Sequence, residues 1–469
     1  MSKQPPRLTS SWFTIFDLAR DPLRRPLAYF ERLGDTFAGR YLGRDFIATR
    51  SPDVFEDVLV RKHKSFGKDN LTRGLSVLLG NGLLTSSGEA WRTSRRVIVP
   101  HLQPRSIERY LDIFREEAER TVSGWASGSC VDLHQQMTGL TLRVILRSVF
   151  GTDAHEADDF ERSMRDVMRY FAGFANTSLP LPLWIPAPKN RRFMRAREQL
   201  NRSLGKILES ARHAPASSTS VLHSLFSAQE SGELSERQLL DEALTFLLAG
   251  HETTALALTY TLALLADAPR AQSDLRRELE RLPPPTTLQA LRSYETLTRI
   301  IKESMRLYPE SWVLGREALE PVEVGGWALE RQTQVYLYQW AAHQNPRWFE
   351  QPERFSPERW TPELEAALPR GAYTPFGGGP RICVGNHFAW AELISVLATI
   401  VSRVELQPVQ PFRPRLLMSI VARPKDPVPV RVVRVPASLQ ASAPPSSPQR
   451  GAVPIHEATA SRGATRSVP

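Results

Sequence analysis

The chain has 469 residues, of which 41% are hydrophobic and 23% charged, a balance that excludes disorder of the whole molecule and allows a large buried core. Its net charge of +10 would suit nucleic acid, an anionic surface or an acidic partner, but the positive residues are mostly scattered. Two cysteines, Cys130 and Cys383, are too few for the disulfide framework of a secreted protein and point to a reducing compartment.

The opening MSKQPPRLTSSWFTIFDLARDP lacks the unbroken apolar core of a signal peptide and is too short in apolar residues to span a bilayer. Strand-like runs occur at 36–49, 322–337 and 428–435. Helical spacing of apolar residues recurs near 107–124, 132–150, 157–174, 193–212, 235–267 and 289–307, so helix dominates. The expected fold class is therefore mainly α with small β-sheets, in a single large domain, because no linker or composition break appears before residue 436.

Along the chain, Trp91 and Arg95 stand four apart in GEAWRTSRRV and by themselves suggest core packing beside a surface charge. Cys130, in WASGSCVDL, has no surroundings beyond those of a simple thiol. The basic cluster KNRRFMRAR at 189–197 lacks aromatics for stacking bases and is a solvated helix face or a partner site. The apolar stretch from Leu244 to Leu265 carries His251 and Glu252 at its middle, which favours a buried helix over a membrane span. A zinc motif fails there, since position 255 is alanine where a second histidine is needed. Ala249 and Thr253 share a helical face, so small residues at Ala249 and Gly250 leave a gap for a diatomic ligand beside the Thr253 hydroxyl. A satisfied threonine beside a salt-bridged glutamate is the alternative.

Glu303 and Arg306 lie three apart on one helical face, a spacing shared by Glu89/Arg92, Glu117/Arg120, Glu209/Arg212 and Glu278/Arg281 and uninformative alone. PERFSPERW follows at 352–360. Then comes PFGGGPRICVG at 375–385, before the helical NHFAWAELISVLATIVSRV. Its glycines allow positive φ and close approach to a bulky planar cofactor, and leave amides free to point at the Cys383 sulfur. That sulfur, before a helix N-terminus, is set up to be a thiolate. From Pro436 the chain turns to Pro, Ser and Ala and reads as a disordered tail. No G-x-G-x-x-G follows a strand, so no flavin or nicotinamide module is expected.

The cysteine segment resembles the signature F-G-x-G-x-R-x-C-x-G of the cytochrome P450 family, met by Phe376, Gly377, Gly379, Arg381, Cys383 and Gly385 and continued by Ala389 and Glu392. Four further motifs agree in order: W-x-x-x-R, A-G-x-[DE]-T-[TS] at 249–254, E-x-x-R, and P-E-R-F, here ending in Trp360. The resemblance spans roughly residues 10–435, leaving 1–9 as an arm and 436–469 as a tail.

It implies a haem-thiolate monooxygenase with Cys383 as axial ligand to haem b and with Trp91, Arg95, Arg316, Phe376, Arg381 and Gly385 binding the cofactor. It also implies that Thr253 and Glu252 manage protons on the oxygen side. Glu303, Arg306 and Arg359 would form a buried triad beneath the cysteine loop, with the Trp360 exchange neutral because both residues are large aromatics. Leu84, Ala249, Val313, Leu314 and Ile420 would border an apolar substrate, with fatty acids and terpenoids the best guesses. Oxygen, and electrons from a separate ferredoxin or flavodoxin with its reductase, complete the reaction. The expected protein is a cytoplasmic monomer without nucleic acid or transmembrane anchor. Rivals are a peroxide-using or substrate-rearranging haem-thiolate enzyme, a haem sensor, and a basic nucleic-acid-binding protein.

Overall fold

The computed structural model describes residues 4–8, 21, 23–41, 43–152, 160, 162–168, 170, 183–213 and 220–435. The tail from 436 and half of the helical stretch expected at 157–174 lie outside the described residues. Long helices dominate: α1 (Arg24–Leu33), α2 (Gly88–Ile98), α3 (Leu111–Ser123), α4 (Leu133–Ile145), α5 (Pro188–His213), α6 (Val221–Glu230), α7 (Glu236–Ala266), α8 (Pro269–Leu279), α9 (Glu295–Leu307) and α10 (Asn386–Arg403).

The strands are short: β1 (Thr36–Tyr41), β2 (Arg44–Thr49), β3 (Phe66–Gly67), β4 (Cys130–Asp132), β5 (Leu314–Ala318), β6 (Val322–Val324), β7 (Trp327–Leu329), β8 (Gln334–Leu337), β9 (Val404–Pro408), β10 (Leu416–Met418), β11 (Ala422–Pro424) and β12 (Pro429–Arg434). The largest sheet has the order β1-β2-β8-β5-β3, in which β2 and β8 run parallel. Arg7 bridges to Ala38, and the Leu8 amide donates to the Ala38 carbonyl at 2.8 Å, so the start of the chain lies along β1.

The centre of the molecule is α7. Ser235 and Gln238 close a capping box at its start, Gln238 N donating to Ser235 Oγ at 3.2 Å and Ser235 N to Gln238 Oε1 at 2.9 Å. Apolar on nearly every face, the helix is enclosed by neighbours, most extensively by α4, and also by α9 and α10. Its threonines satisfy their hydroxyls one turn back, as Thr259 does on Ala255 O at 2.6 Å and Thr261 on Ala257 O at 2.7 Å.

On α5 the basic cluster divides by helical period. Arg191, Arg192 and Arg195 are exposed while Phe193 and Ala196 are buried, the pattern of a solvated face over an apolar one.

Candidate functional site

The cysteine loop is a tight hairpin leading into α10. Cys383 N donates to the Phe376 carbonyl at 3.0 Å, and Gly377 N to Thr374 O at 2.9 Å. Gly377 and Gly379 have φ of 73° and 65°, where a side chain is strained, and any side chain at Gly379 would run into the Leu59 carbonyl. The loop therefore lies flat on the segment 57–61. The Cys383 thiol is accessible to a water-sized probe yet sits deep among protein atoms. That burial raises its pKa, and the Gly385 amide and the Arg95 charge pull it back down.

Four cations converge near this loop. Two guanidiniums lie over the Trp91 indole, with Arg381 4.6 Å and Arg95 5.5 Å from the ring centroid. Arg381 also donates to Ser86 O at 3.1 Å, and Arg316 to its neighbour Gly315 O at 2.7 Å. Burial pushes the Arg381 pKa down to about 10, with help from the Arg316 and Arg95 charges. Burial holds Lys68 well below the usual lysine value, and the charges of Arg316 and Arg381 add to the effect against Asp69. Among the described residues none of the four has a carboxylate within ion-pair distance. Such a set demands an anion, and it fits a cofactor bearing two carboxylates beside a thiolate-ligated metal. Lys68 was invisible to the sequence reading, because a lysine between Gly67 and Asp69 gives no sign that it is buried.

On α7, residues 241–266 are buried except for exposed Ala249 and half-buried Gly250 and Thr253. Thr253 Oγ1 donates to Ala249 O at 2.7 Å, leaving its lone pairs able to accept. The expected gap is narrower than the sequence implied. Gly250 faces α4, where a Cβ would come within 2.7 Å of Ile145 Cδ1, so its small size serves helix packing and the open notch belongs to Ala249. Glu252, about 100° around the helix from Thr253, forms a largely buried ion pair with Arg423 of β11. That pair lines a cavity of about 440 Å³, together with His134 and Thr138 of α4. Both features of the alternative reading, a bonded threonine and a paired glutamate, are thus present. They do not touch each other: no hydrogen bond joins Glu252 and Thr253 among the described residues.

Beneath the loop, Glu303 receives Arg306 Nε at 2.9 Å and Nη2 at 2.8 Å, Arg359 Nε at 3.0 Å and Ser356 N at 3.0 Å. Trp360 Nε1 adds a fifth donor at 2.9 Å. The Trp360 exchange is therefore not neutral, since phenylalanine has no N–H and would remove a bond to a buried carboxylate. Arg306 Nη1 also donates to His343 O at 2.9 Å, and His343 Nε2 accepts from Thr374 N at 3.2 Å, which ties the triad to the loop. Burial first, and Arg306 second, press the His343 pKa down to about 3, keeping the ring neutral for that bond. The sequence offered no signal for this histidine.

Of the residues expected beside substrate, Leu84, Val313, Leu314 and Ile420 are half-buried. Leu314 reaches the cysteine loop, its Cδ1 lying 3.9 Å from a Cβ built on Gly377. Leu84 and Ile420 pack on the edge of the main core.

Comparison with known proteins agrees with this geometry. The sequence profile described as Cytochrome P450 matches residues 4–431. The chain is 33% identical over 400 residues to cyclooctat-9-en-7-ol 5-monooxygenase of Streptomyces melanosporofaciens, covering 82% of this chain and 86% of that protein. It is 31% identical over 422 residues to cyclooctatin synthase of the same organism, covering 87% and 91%. The crystal structure of the cytochrome P450DA heme domain superposes with a TM-score of 0.82 at 23% identity, covering 94% of this chain and all of the other, which speaks to fold.

Proposed function

The chain belongs to the cytochrome P450 family and is a monooxygenase, and on that premise we propose that Cys383 is the thiolate ligand of a haem b whose substrate is a terpenoid. The family implies a haem held by a cysteine, with oxygen, an organic substrate and a redox partner. When bound, that haem supplies oxygen activation, inserting one oxygen atom into a C–H or C=C bond while two electrons and two protons reduce the other to water.

The protein's part is to hold, orient and exclude. The Gly385 amide and the Arg95 charge favour the sulfur anion against its burial. Arg95, Arg316, Arg381 and Lys68 would hold and neutralise the two propionates of the haem, with Trp91 as the plate beneath two of the guanidiniums, and Phe376 and Gly385 would frame the sulfur. Glu303, Arg306 and Arg359 fix the loop from below. At the Ala249 notch the Thr253 hydroxyl holds a proton donor in place. Glu252 supplies protons from the far face of α7, where Arg423 holds it beside the 440 Å³ cavity. Leu84, Ala249, Val313, Leu314 and Ile420 form the apolar border to substrate.

A terpenoid is favoured over a fatty acid because the relative at 33% identity is named for oxidation of a cyclic alkenol. The electron donor is a ferredoxin or flavodoxin with its reductase, and the enzyme works as a cytoplasmic monomer. The two free thiols support a reducing compartment, and no described helix is long and apolar enough to cross a membrane.

The observation that carries the proposal is one accessible thiol beside four cations that, among the described residues, have no carboxylate within ion-pair distance. The carbon monoxide adduct of the reduced protein tests it. Thiolate-type absorption is expected, lost in Cys383→Ser; absorption of the histidine-ligated type in the parent protein would refute the assignment. Difference spectra against a panel of terpenes and fatty acids separate the substrate classes, and shifts confined to the fatty acids would overturn the terpenoid assignment.

A further inference from the structure

Two adjacent carboxyls on α7, Asp241 and Glu242, take no part in the chemistry above, and both grip one segment of chain. Asp241 Oδ2 accepts from Asn81 N at 2.7 Å, and Glu242 Oε2 accepts from Leu83 N at 2.9 Å. The fit is close enough to dictate sequence: a side chain at Gly80 would run into the Asp241 carboxyl, and one at Gly82 into the Thr245 hydroxyl. Thr85 Oγ1 folds the segment on itself by donating to Gly80 O at 2.8 Å. At its other end Arg381 donates to Ser86 O at 3.1 Å. Segment 80–87 is thus pinned between α7 and the cation cluster. Thr245, against which Gly82 packs, lies one helical turn, about 6 Å, before the Ala249 notch, so the pinned strap meets α7 within a turn of the oxygen side.

We propose that Glu242 is a positioning residue for the reaction, a proton-dependent clasp that seats segment 80–87 against α7 and so sets Leu84 at the rim of the distal site. The importance of that rim rests on the haem-thiolate assignment; the clasp itself does not.

Glu242 is fully buried, and its carboxyl meets no cation among the described residues. Burial, with Asp241 beside it, pushes its carboxyl up to about 7, against the Leu83 amide and the Ser94 hydroxyl of α2. The charges around it are few. Asp241 is held by Arg237 at 3.1 Å, segment 80–87 has no titratable side chain, and on α2 Arg95 and Arg96 turn to Ile382 O and Glu233. A lifted segment would let water reach the carboxyl and return it toward its ordinary 4.5. The seated state therefore binds the proton more tightly. Its hold is strongest below the ordinary value, weakens as pH rises from there to about 7, and is constant above.

Amide exchange of segment 80–87 in the ferric holoprotein, corrected for intrinsic chemistry, tests the clasp. Protection should fall about tenfold or more between about pH 5 and pH 8 in the parent, and stay flat in Glu242→Gln, which keeps shape and loses the titration. Asp241→Asn should move the midpoint to lower pH by removing a like charge. Release of 4-phenylimidazole from the iron should quicken over the same range in the parent alone. Flat parent protection overturns the proposal whether or not either variant folds, as does an unchanged pH dependence in Glu242→Gln. If 4-phenylimidazole gives no iron-ligand spectrum while exchange follows the predicted pattern, the haem assignment fails and the clasp stands.

Discussion

The triad beneath the cysteine loop and the buried acids Glu242 and Glu310 are built on opposite principles. Beneath the cysteine loop, Glu303, with no exposed surface, takes five donors, and Arg306, equally buried, spends its remaining N–H groups on His343, Pro352 and Arg354 carbonyls. Other buried acids are left with fewer partners. Glu310 carries an oxygen without a hydrogen bond among the described residues, Glu242 is held by only the Leu83 amide and the Ser94 hydroxyl there, and burial pushes their carboxyls up to about 8 and about 7. A saturated network holds one geometry; an unsaturated buried acid keeps a proton near neutral pH and responds to small changes in its surroundings. The molecule thus pairs a fixed ligand-bearing loop with buried acids that can exchange protons.

The largest test is to desaturate the rigid triad. Glu303→Ala strands the Arg306 and Arg359 charges and the Trp360 N–H in a region closed to water, at a cost of about 3–5 kcal/mol. Urea unfolding should show that loss, and haem content after purification should fall with it. A stable, fully loaded variant would break the contrast.

Next in size is the loss of stability with rising pH, to which Glu310 contributes. Burial raises its carboxyl to about 8, so the folded chain holds this proton more tightly than the unfolded one at about 4.5. Its contribution is complete below pH 4.5 and is lost as pH rises to about 8, amounting to a few kcal/mol. Glu310→Gln should flatten that decline in unfolding free energy measured from about pH 5 to pH 8.5. His343 runs the other way. Its ring is neutral when folded down to about pH 3, so stability is present above pH 6.5 and drains away as acid charges the unfolded chain.

How much of this could be read from residues alone depended on whether a feature is local. The cysteine loop was legible because positive φ and close backbone approach leave glycines in fixed places. Helix α7 was legible because its apolar pattern continues for more than twenty residues. Helices α6 and α8 and the hairpin β10–β11 were missed; their patterns are short or strongly polar, and their positions are set by neighbours. The partners of known residues were also hidden. Arg423 meets Glu252 across 171 positions of sequence and Leu83 meets Glu242 across 159, pairings that only the folded topology creates. The same blindness made the Trp360 exchange look neutral.

That exchange gives a medium-sized test. Trp360→Phe keeps the aromatic contact with Tyr373, whose ring centroid is 4.6 Å away, but removes one of the five bonds to Glu303. The expected cost is about 1.5–3 kcal/mol, as for a bond to a charged acceptor, read as a lower urea midpoint with unchanged slope. A change below about 0.5 kcal/mol would mean that the remaining four donors already saturate the carboxylate.

The smallest expected effect on stability belongs to the residue with the largest expected effect on coupling. Thr253→Val preserves shape and removes a hydroxyl whose one hydrogen bond among the described residues runs back to Ala249 O within the same helix. Such back-bonds contribute little to a helix, so the unfolding free energy should move by less than about 1 kcal/mol. The proton held at the notch is lost, however, and product formed per reductant consumed should fall about tenfold or more, with hydrogen peroxide released instead. Arg423→Gln offers the counterpart on the outer face of α7, freeing Glu252 from its partner while leaving Thr253 in place. If Thr253→Val lowers stability as much as Trp360→Phe while coupling is unchanged, the hydroxyl is part of the frame, and the division between a fixed frame and proton-handling groups fails at its central residue.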